Sequence, residues 1–170
     1  AHDAIVPPYQ SIVIADDWLC SGGQVTDIHW WGNYEAVGSG INYFHLSIHN
    51  DDPSGTCLPL DPEIWGMNVP FISITEQFTG MYSPDGKAIY LYEYVLPVPF
   101  DQIVGNRYWL DISAFSNDPN NQVIWRWQEA QRTYYPILCG AANKIDPGIL
   151  PWSTIQWNPS PPYMYSDMAF

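Results

Sequence analysis

Apolar and polar residues alternate along most of this chain in short runs. Gly and Pro cut the runs at close intervals. In residues 43–50, Phe44, Leu46 and Ile48 alternate with His45, Ser47 and His49. A period of two marks a strand with one apolar face. The same pattern predicts strands at 11–19, 25–34, 43–50, 71–78, 87–96, 107–115, 123–128 and 163–170. Turn residues separate them: Ser21-Gly22-Gly23, Gly38-Ser39-Gly40, Ser83-Pro84-Asp85-Gly86 and Asn117-Asp118-Pro119-Asn120. Only Asp61-Pro62-Glu63-Ile64-Trp65 reads as a short helical turn, with Pro at its first position. Eight short strands with this spacing predict an all-β fold: a single antiparallel β-sandwich, most economically a jelly roll, over residues 10–170. Residues 1–9 read as an extended arm ahead of it, stopped by Pro7-Pro8. Residues 140–162 carry five prolines and read as an irregular crossing.

Alternation also assigns faces. The expected core is Ile14, Ile28, Trp30, Leu46, Ile48, Ile89, Leu91, Leu110 and Ile112. In 87–96, Ile89, Leu91 and Val95 oppose Tyr90, Tyr92 and Tyr94, and Ile89 and Leu91 are expected inside. Val123, Trp125 and Trp127 share one face. Asp27, His29 and Trp31 form an outward set, as do His45, Ser47 and His49.

Composition narrows the class. Hydrophobic residues make up 46%, aromatics 16% and charged residues only 14%, so the chain can build a core and is not disordered. Net charge is −13, and the five basic residues are scattered, which excludes a nucleic-acid footprint and attraction to an anionic membrane. No apolar run approaches the roughly 20 residues of a membrane helix. Nine Trp, twelve Tyr and sixteen Pro beside two lysines suit a rigid extracellular surface, and the chain starts at Ala1, where a signal peptidase would cut. Cys20, Cys57 and Cys139 allow one disulfide and a leftover thiol, or three reduced thiols.

The stretch Val13-Ile14-Ala15-Asp16-Asp17-Trp18-Leu19-Cys20, then Val25-Thr26-Asp27-Ile28-His29-Trp30-Trp31-Gly32-Asn33-Tyr34, carries a resemblance. Looser pieces follow in order: Ser47 to Pro53, Pro62 to Trp65, Tyr92-Glu93-Tyr94, Asn106 to Ile112 and the closing Asp167-Met168-Ala169-Phe170. Together they resemble an uncharacterised domain family associated with exported proteins of planctomycetes and other environmental bacteria. That family has no established activity. The resemblance therefore implies an exported β-domain and assigns no catalytic residue.

Candidate chemistry is sparse. There is no Gly-x-Ser-x-Gly elbow and no phosphate loop. Glu35, Glu63, Glu76, Glu93 and Glu129 are the only glutamates, and nothing in their spacing pairs two of them. His45 and His49 share a strand face but stand roughly 13 Å apart, too far for one zinc unless His29 joins either from a neighbouring strand. Asp51, Asp52 and Asp118 lie in acidic loops and are the calcium candidates. No other cofactor is implied. The expected function is non-enzymatic: a structural subunit of an extracellular self-assembling filament or tube, whose partners are copies of itself. Residues Ala4, Ile5, Val6, Pro7, Pro8 and Tyr9 are the assembly arm, an apolar strand for a neighbour's sheet edge. The alternative is a secreted carbohydrate-binding module, with Trp31, Trp152, Trp157 and Tyr163 as rings for stacking on a polysaccharide.

Overall fold

The structure, a computed structural model, describes residues 11–34, 40–116, 125–130, 139–146, 151–157, 164–165, 167–168 and 170, with backbone only at 11–12, 129–130, 145–146, 156–157, 164–165 and 167. Its strands are β1 (Ser11–Leu19), β2 (Gln24–Tyr34), β3 (Tyr43–Asp51), β4 (Pro59–Pro70), β5 (Thr75–Tyr82), β6 (Ala88–Asp101) and β7 (Arg107–Phe115). Shorter ones follow: β8 (Trp125–Trp127), β9 (Glu129–Ala130), β10 (Ala142–Asp146), β11 (Ser153–Thr154), β12 (Gln156–Trp157), β13 (Met164–Tyr165) and β14 (Asp167–Met168). A six-stranded sheet, ordered β11-β10-β1-β7-β3-β4, packs on a four-stranded sheet, ordered β5-β6-β2-β8. Every pairing is antiparallel, and the fold is an all-β sandwich. The β1–β7 pair and the β2–β6 pair nest as in a jelly roll, while β3–β4 and β5–β6 are local hairpins.

Aromatic rings fill the space between the sheets. Trp30, Phe44, Tyr92 and Trp125 are fully buried. Trp30 stacks on Tyr92 at 5.5 Å and meets Phe44 edge-on at 5.3 Å; Phe44 meets Trp125 edge-on at 5.0 Å. Each such pair is worth about 0.5–1.5 kcal/mol beyond the area it buries. Gly32 on β2 lies directly under the Trp125 ring, so a Cβ at that position would strike it. The expected core residues Ile14, Ile28, Trp30, Leu46, Ile48, Leu110 and Ile112 are all buried in this cluster.

Four expectations need correction. Asp61–Trp65 is not a helical turn but part of β4, where Ile48 faces Trp65 and Leu46 faces Met67 across the ladder. Proline is tolerated there because β4 is the sheet's edge. The strand expected at 71–78 begins with a 3-10 turn (Phe71–Ser73) and runs on as β5 to Tyr82. Of the closing strand 163–170, the described residues form β13, paired with β12, and β14, paired with β9, rather than one continuous ladder partner. The crossing 140–162 contains β10, which pairs with β1 from Ser11↔Asp146 to Ala15↔Ala142.

The faces of β6 are also reversed. Trp30 pairs with Tyr92, Ile28 with Tyr94 and Gly32 with Tyr90. Residues directly opposite in an antiparallel pair share a face, so an inward Trp30 brings Tyr92 in with it. Leu91 is only half-buried, and Val95 is 74% exposed. Ile89 is buried, but it lies on the outward side with them. The tyrosine rings reach across the gap: Tyr94 donates its hydroxyl to Met67 Sδ on the facing sheet at 3.3 Å.

The outward polar set of β3 is covered as well. A second core of Ala15, Trp109, Cys139, Ala142 and Trp152 sits on the outer face of the six-stranded sheet. Cys57 and Cys139 form a disulfide there, and Cys20 is a buried free thiol. The adjacent acids of β1 clamp both sides. Asp16 accepts from the backbone N–H of Met168 at 2.5 Å. Asp17 accepts from the N–H of Cys139 at 3.2 Å and pairs with Arg107 Nε at 2.9 Å.

Candidate functional site

The two sheets end in four edges, and strand chemistry differs among them. β8 and β11 are three and two residues long. β4 is long but carries Pro59, Pro62 and Pro70, with the charges Asp61 and Glu63 between. β5 has eight residues, no proline and no lysine, and Glu76 is its one charge. Among the described residues, nothing pairs with its outer edge. Native proteins blunt sheet edges with proline, lysine or brevity, because a free ladder accepts another strand.

Local sequence explains how β5 is held. The turn into β6 closes by two backbone bonds: Ser83 donates to the Lys87 carbonyl and Gly86 to the Ser83 carbonyl, each at 2.8 Å. The Ser83 hydroxyl donates to Asp85, which holds that carboxyl below the usual range. The β5–β6 register breaks between Phe78 and Tyr82, where Gly80 adopts φ +80°. Thr79 Oγ1 fills the break by donating to the Ile89 carbonyl at 2.8 Å. The regular ladder of β5 is thus Thr75–Phe78. Past the break, Met81 and Tyr82 turn outward, 54% and 64% exposed.

A run of touching rings leads from the core to this edge. Tyr34 meets Tyr90 at 5.5 Å, Tyr90 meets Phe78 at 5.9 Å, and Phe78 meets Tyr82 at 5.6 Å. Tyr34 donates its hydroxyl to Glu76. Burial first, then the Glu76 carboxylate, push the Tyr34 hydroxyl far above its ordinary value, so it stays a donor. The site offers backbone hydrogen bonds and an apolar flank, the chemistry of strand addition.

Residues 2–170 match the family described as "Domain of unknown function (DUF7901)". The chain belongs to this family. No curated protein and no solved structure matches it.

In this DUF7901 chain the residues singled out from sequence scatter. The arm, Ala4 to Tyr9, lies outside the described residues, as do Glu35, Asp118 and Tyr163. Trp31 is half-buried on the outward face of β2. Trp152 is not a surface ring. It is buried against His49 at 5.6 Å, with Lys144 Nζ 4.5 Å over its face. Trp157 lies in β12, and its side chain is outside the described residues.

Of the calcium candidates, Asp51 accepts from Trp109 Nε1 at 2.9 Å and from Arg107 at 3.3 Å. Asp52 caps its own turn, accepting from Ser54 N at 2.8 Å and Thr56 Oγ1 at 3.0 Å. His29 sits on the other sheet from His45 and His49, between Asp27 at 2.7 Å and Glu93 at 3.3 Å. Among the described residues, no three His, Cys, Asp or Glu groups are placed to hold one metal ion. Alternation alone does not mark the free edge of β5; its one signal in the sequence is the lack of proline and lysine.

Proposed function

We propose that this domain is a subunit of an extracellular self-assembling polymer, joined by a strand from a neighbouring copy that adds to the edge of β5. The observation that carries this reading is the contrast among edges: β4 is guarded by three prolines, and β5 by none. A strand laid on Thr75–Phe78 would gain ladder hydrogen bonds, each worth about 0.5–1.5 kcal/mol net. Phe78, Met81 and Tyr82 would add apolar burial, and residues 4–9 are the donor segment of matching chemistry. The Cys57–Cys139 disulfide suits an oxidising compartment, in keeping with an exported protein of environmental bacteria. A charge of −13 on each copy opposes close packing, so assembly should strengthen with salt or with a bridging cation such as calcium.

Sedimentation of the whole chain across a wide concentration range tests this. Polymers should form, and both deletion of residues 1–8 and the pair Gln77→Lys, Met81→Lys should abolish them while leaving a folded monomer. A chain that stays monomeric at high concentration, with and without calcium, ends the proposal. The carbohydrate-binding reading has thinner support, because Trp152, one of the rings it needs at the surface, is buried against His49.

A further inference from the structure

β8 covers only part of its neighbour. It pairs with Gly32, Asn33 and Tyr34 of β2. Toward the start of β2, among the described residues, nothing pairs with that same side. Backbone geometry shows which groups this leaves open. Trp31 gives its carbonyl to the Gln128 N–H on that side at 2.7 Å. A residue of an antiparallel strand aims its N–H and C=O to one side, and residues two apart aim alike. His29 and Asp27 therefore turn their backbone groups to the open side, away from β6.

A cavity of about 380 Å³ adjoins this half-edge, between the two sheets. Its floor is the buried core, Ile28 and Leu110. Trp18 and Val25 are half-buried and Phe170 is 39% exposed, so these three are the surfaces a guest meets. Asp27, Ile28 and His29 all line it. The side chains of Asp27 and His29 point to the face opposite Ile28, so three consecutive residues meet one cavity only along the strand's edge. An unpaired ladder and an apolar slot thus lie side by side. The outer rim is acidic. Asp27 and Glu93 stand around an exposed His29, at 2.7 and 3.3 Å, two carboxylates against one imidazole.

We propose that this half-edge accepts an extended cationic peptide from another protein, as a further strand of the four-stranded sheet. The peptide backbone bonds to His29 and Asp27. Residues directly opposite share a face, so the peptide's side chain facing Ile28 enters the slot, while those facing Asp27 and His29 point to the acidic rim. Charge selects the guest. A second copy brings a net charge of −13, and its apolar residues 4–9 carry no basic side chain. Both the edge and the guest differ from those assigned to β5.

The probe is acetyl-Lys-Val-Thr-Val-Lys-amide, added to the isotope-labelled whole chain at neutral pH and followed by amide NMR. With its Thr opposite His29, both valines face the slot and both lysines the rim. The amides of Asp27 and His29 should shift saturably and gain exchange protection, while those of β5 stay unmoved. Changing the peptide's Thr to Pro removes a ladder donor and should weaken binding at least about threefold. Changing both Lys to Glu should weaken it about tenfold. Phe170→Ala in the protein should weaken it about threefold or more through lost apolar contact. The variant Gln77→Lys, Met81→Lys should bind the peptide unchanged, which separates this edge from β5 whether or not polymers form there. No saturable shift by about 5 mM peptide overturns the proposal. So do shifts confined to β5, or equal binding of the Pro or Glu peptides. Displacement of the peptide by excess unlabelled chain assigns the slot to a second copy, and shifts with indole but not with peptide assign it to a small apolar molecule; either result overturns the proposal.

Discussion

The two sheets of this sandwich are finished differently. The six-stranded sheet is covered on both faces: the aromatic core on one side, the Trp109–Trp152 cluster and a polar cavity around His49 and Asp111 on the other. The four-stranded sheet is covered on one face only, and its β5 edge stands open among the described residues. Both sheets alternate apolar and polar residues, so the difference does not come from the pattern. It comes from a long-range fastening. The Cys57–Cys139 bond and the Asp17 carboxylate draw a segment more than a hundred residues downstream of β1 over the outer face. The four-stranded sheet has no such strap among the described residues. A polar face becomes interior or surface according to what the rest of the chain lays over it.

Breaking the strap should have the largest effect. Replacing Cys57 and Cys139 by Ser removes a link spanning 82 residues, and chain-entropy arguments put the loss at about 4.5 kcal/mol in urea unfolding. Amide exchange should rise first in β10, while β2 and β6 keep their protection. Uniform loss of protection across both sheets would refute the idea of a separately fastened cover.

Asp17→Asn should come next. It keeps the shape but weakens the pairing with Arg107, a buried charge pair whose disruption costs about 3 kcal/mol. The matching change on the open side, Asp27→Asn, touches only exposed partners, and its effect should fall below about 1 kcal/mol.

pH should separate the two sides further. His45, on the covered face, has a pKa raised above 6.5. A raised folded-state value means its contribution is present in full below pH 6.5 and fades as pH climbs through the folded value. On the open side, Asp27 and Asp85 are lowered below 3.8, by Thr26 and Ser83 hydroxyls first. Their contribution is present above 3.8 and fades on acidification. His45→Gln should flatten the alkaline limb of stability against pH and leave the acid limb alone.

The smallest effect belongs to the edge. Gln77→Lys and Met81→Lys lie on exposed positions, so monomer stability should move by no more than about 0.5 kcal/mol. Their whole effect should be on association, and a large loss of stability would show that β5 is not a free edge.

Much of the fold was legible in the chain. β1, β2, β3 and β7 follow from period-two alternation between glycine-rich turns, because a strand's faces are set by neighbours two residues apart. β4 is ambiguous in the sequence because Asp-Pro-Glu opens helices as readily as it decorates an edge strand; only pairing with β3 decides. The faces of β6 are ambiguous in the sequence because Ile89, Leu91 and Val95 and the three tyrosines are both apolar sets, and the ladder partner Trp30 breaks the tie. The acids of β1 were visible as a motif, but their targets, Met168 and Cys139, lie 152 and 122 residues away.

The amino-acid sequence by itself therefore determined the strand class, the turns at 21–23 and 83–86, the scarcity of positive charge and most of the core. All of these are local or additive properties, carried by residue type and by spacing along one strand. The tertiary structure alone decided which cysteines join, which polar face is roofed, where a buried carboxylate oxygen lacks a hydrogen-bond partner and which edge is unpaired among the described residues. Those outcomes depend on groups brought together across most of the chain's length, and no periodicity encodes a meeting between residues 17 and 139, or between 47 and 111.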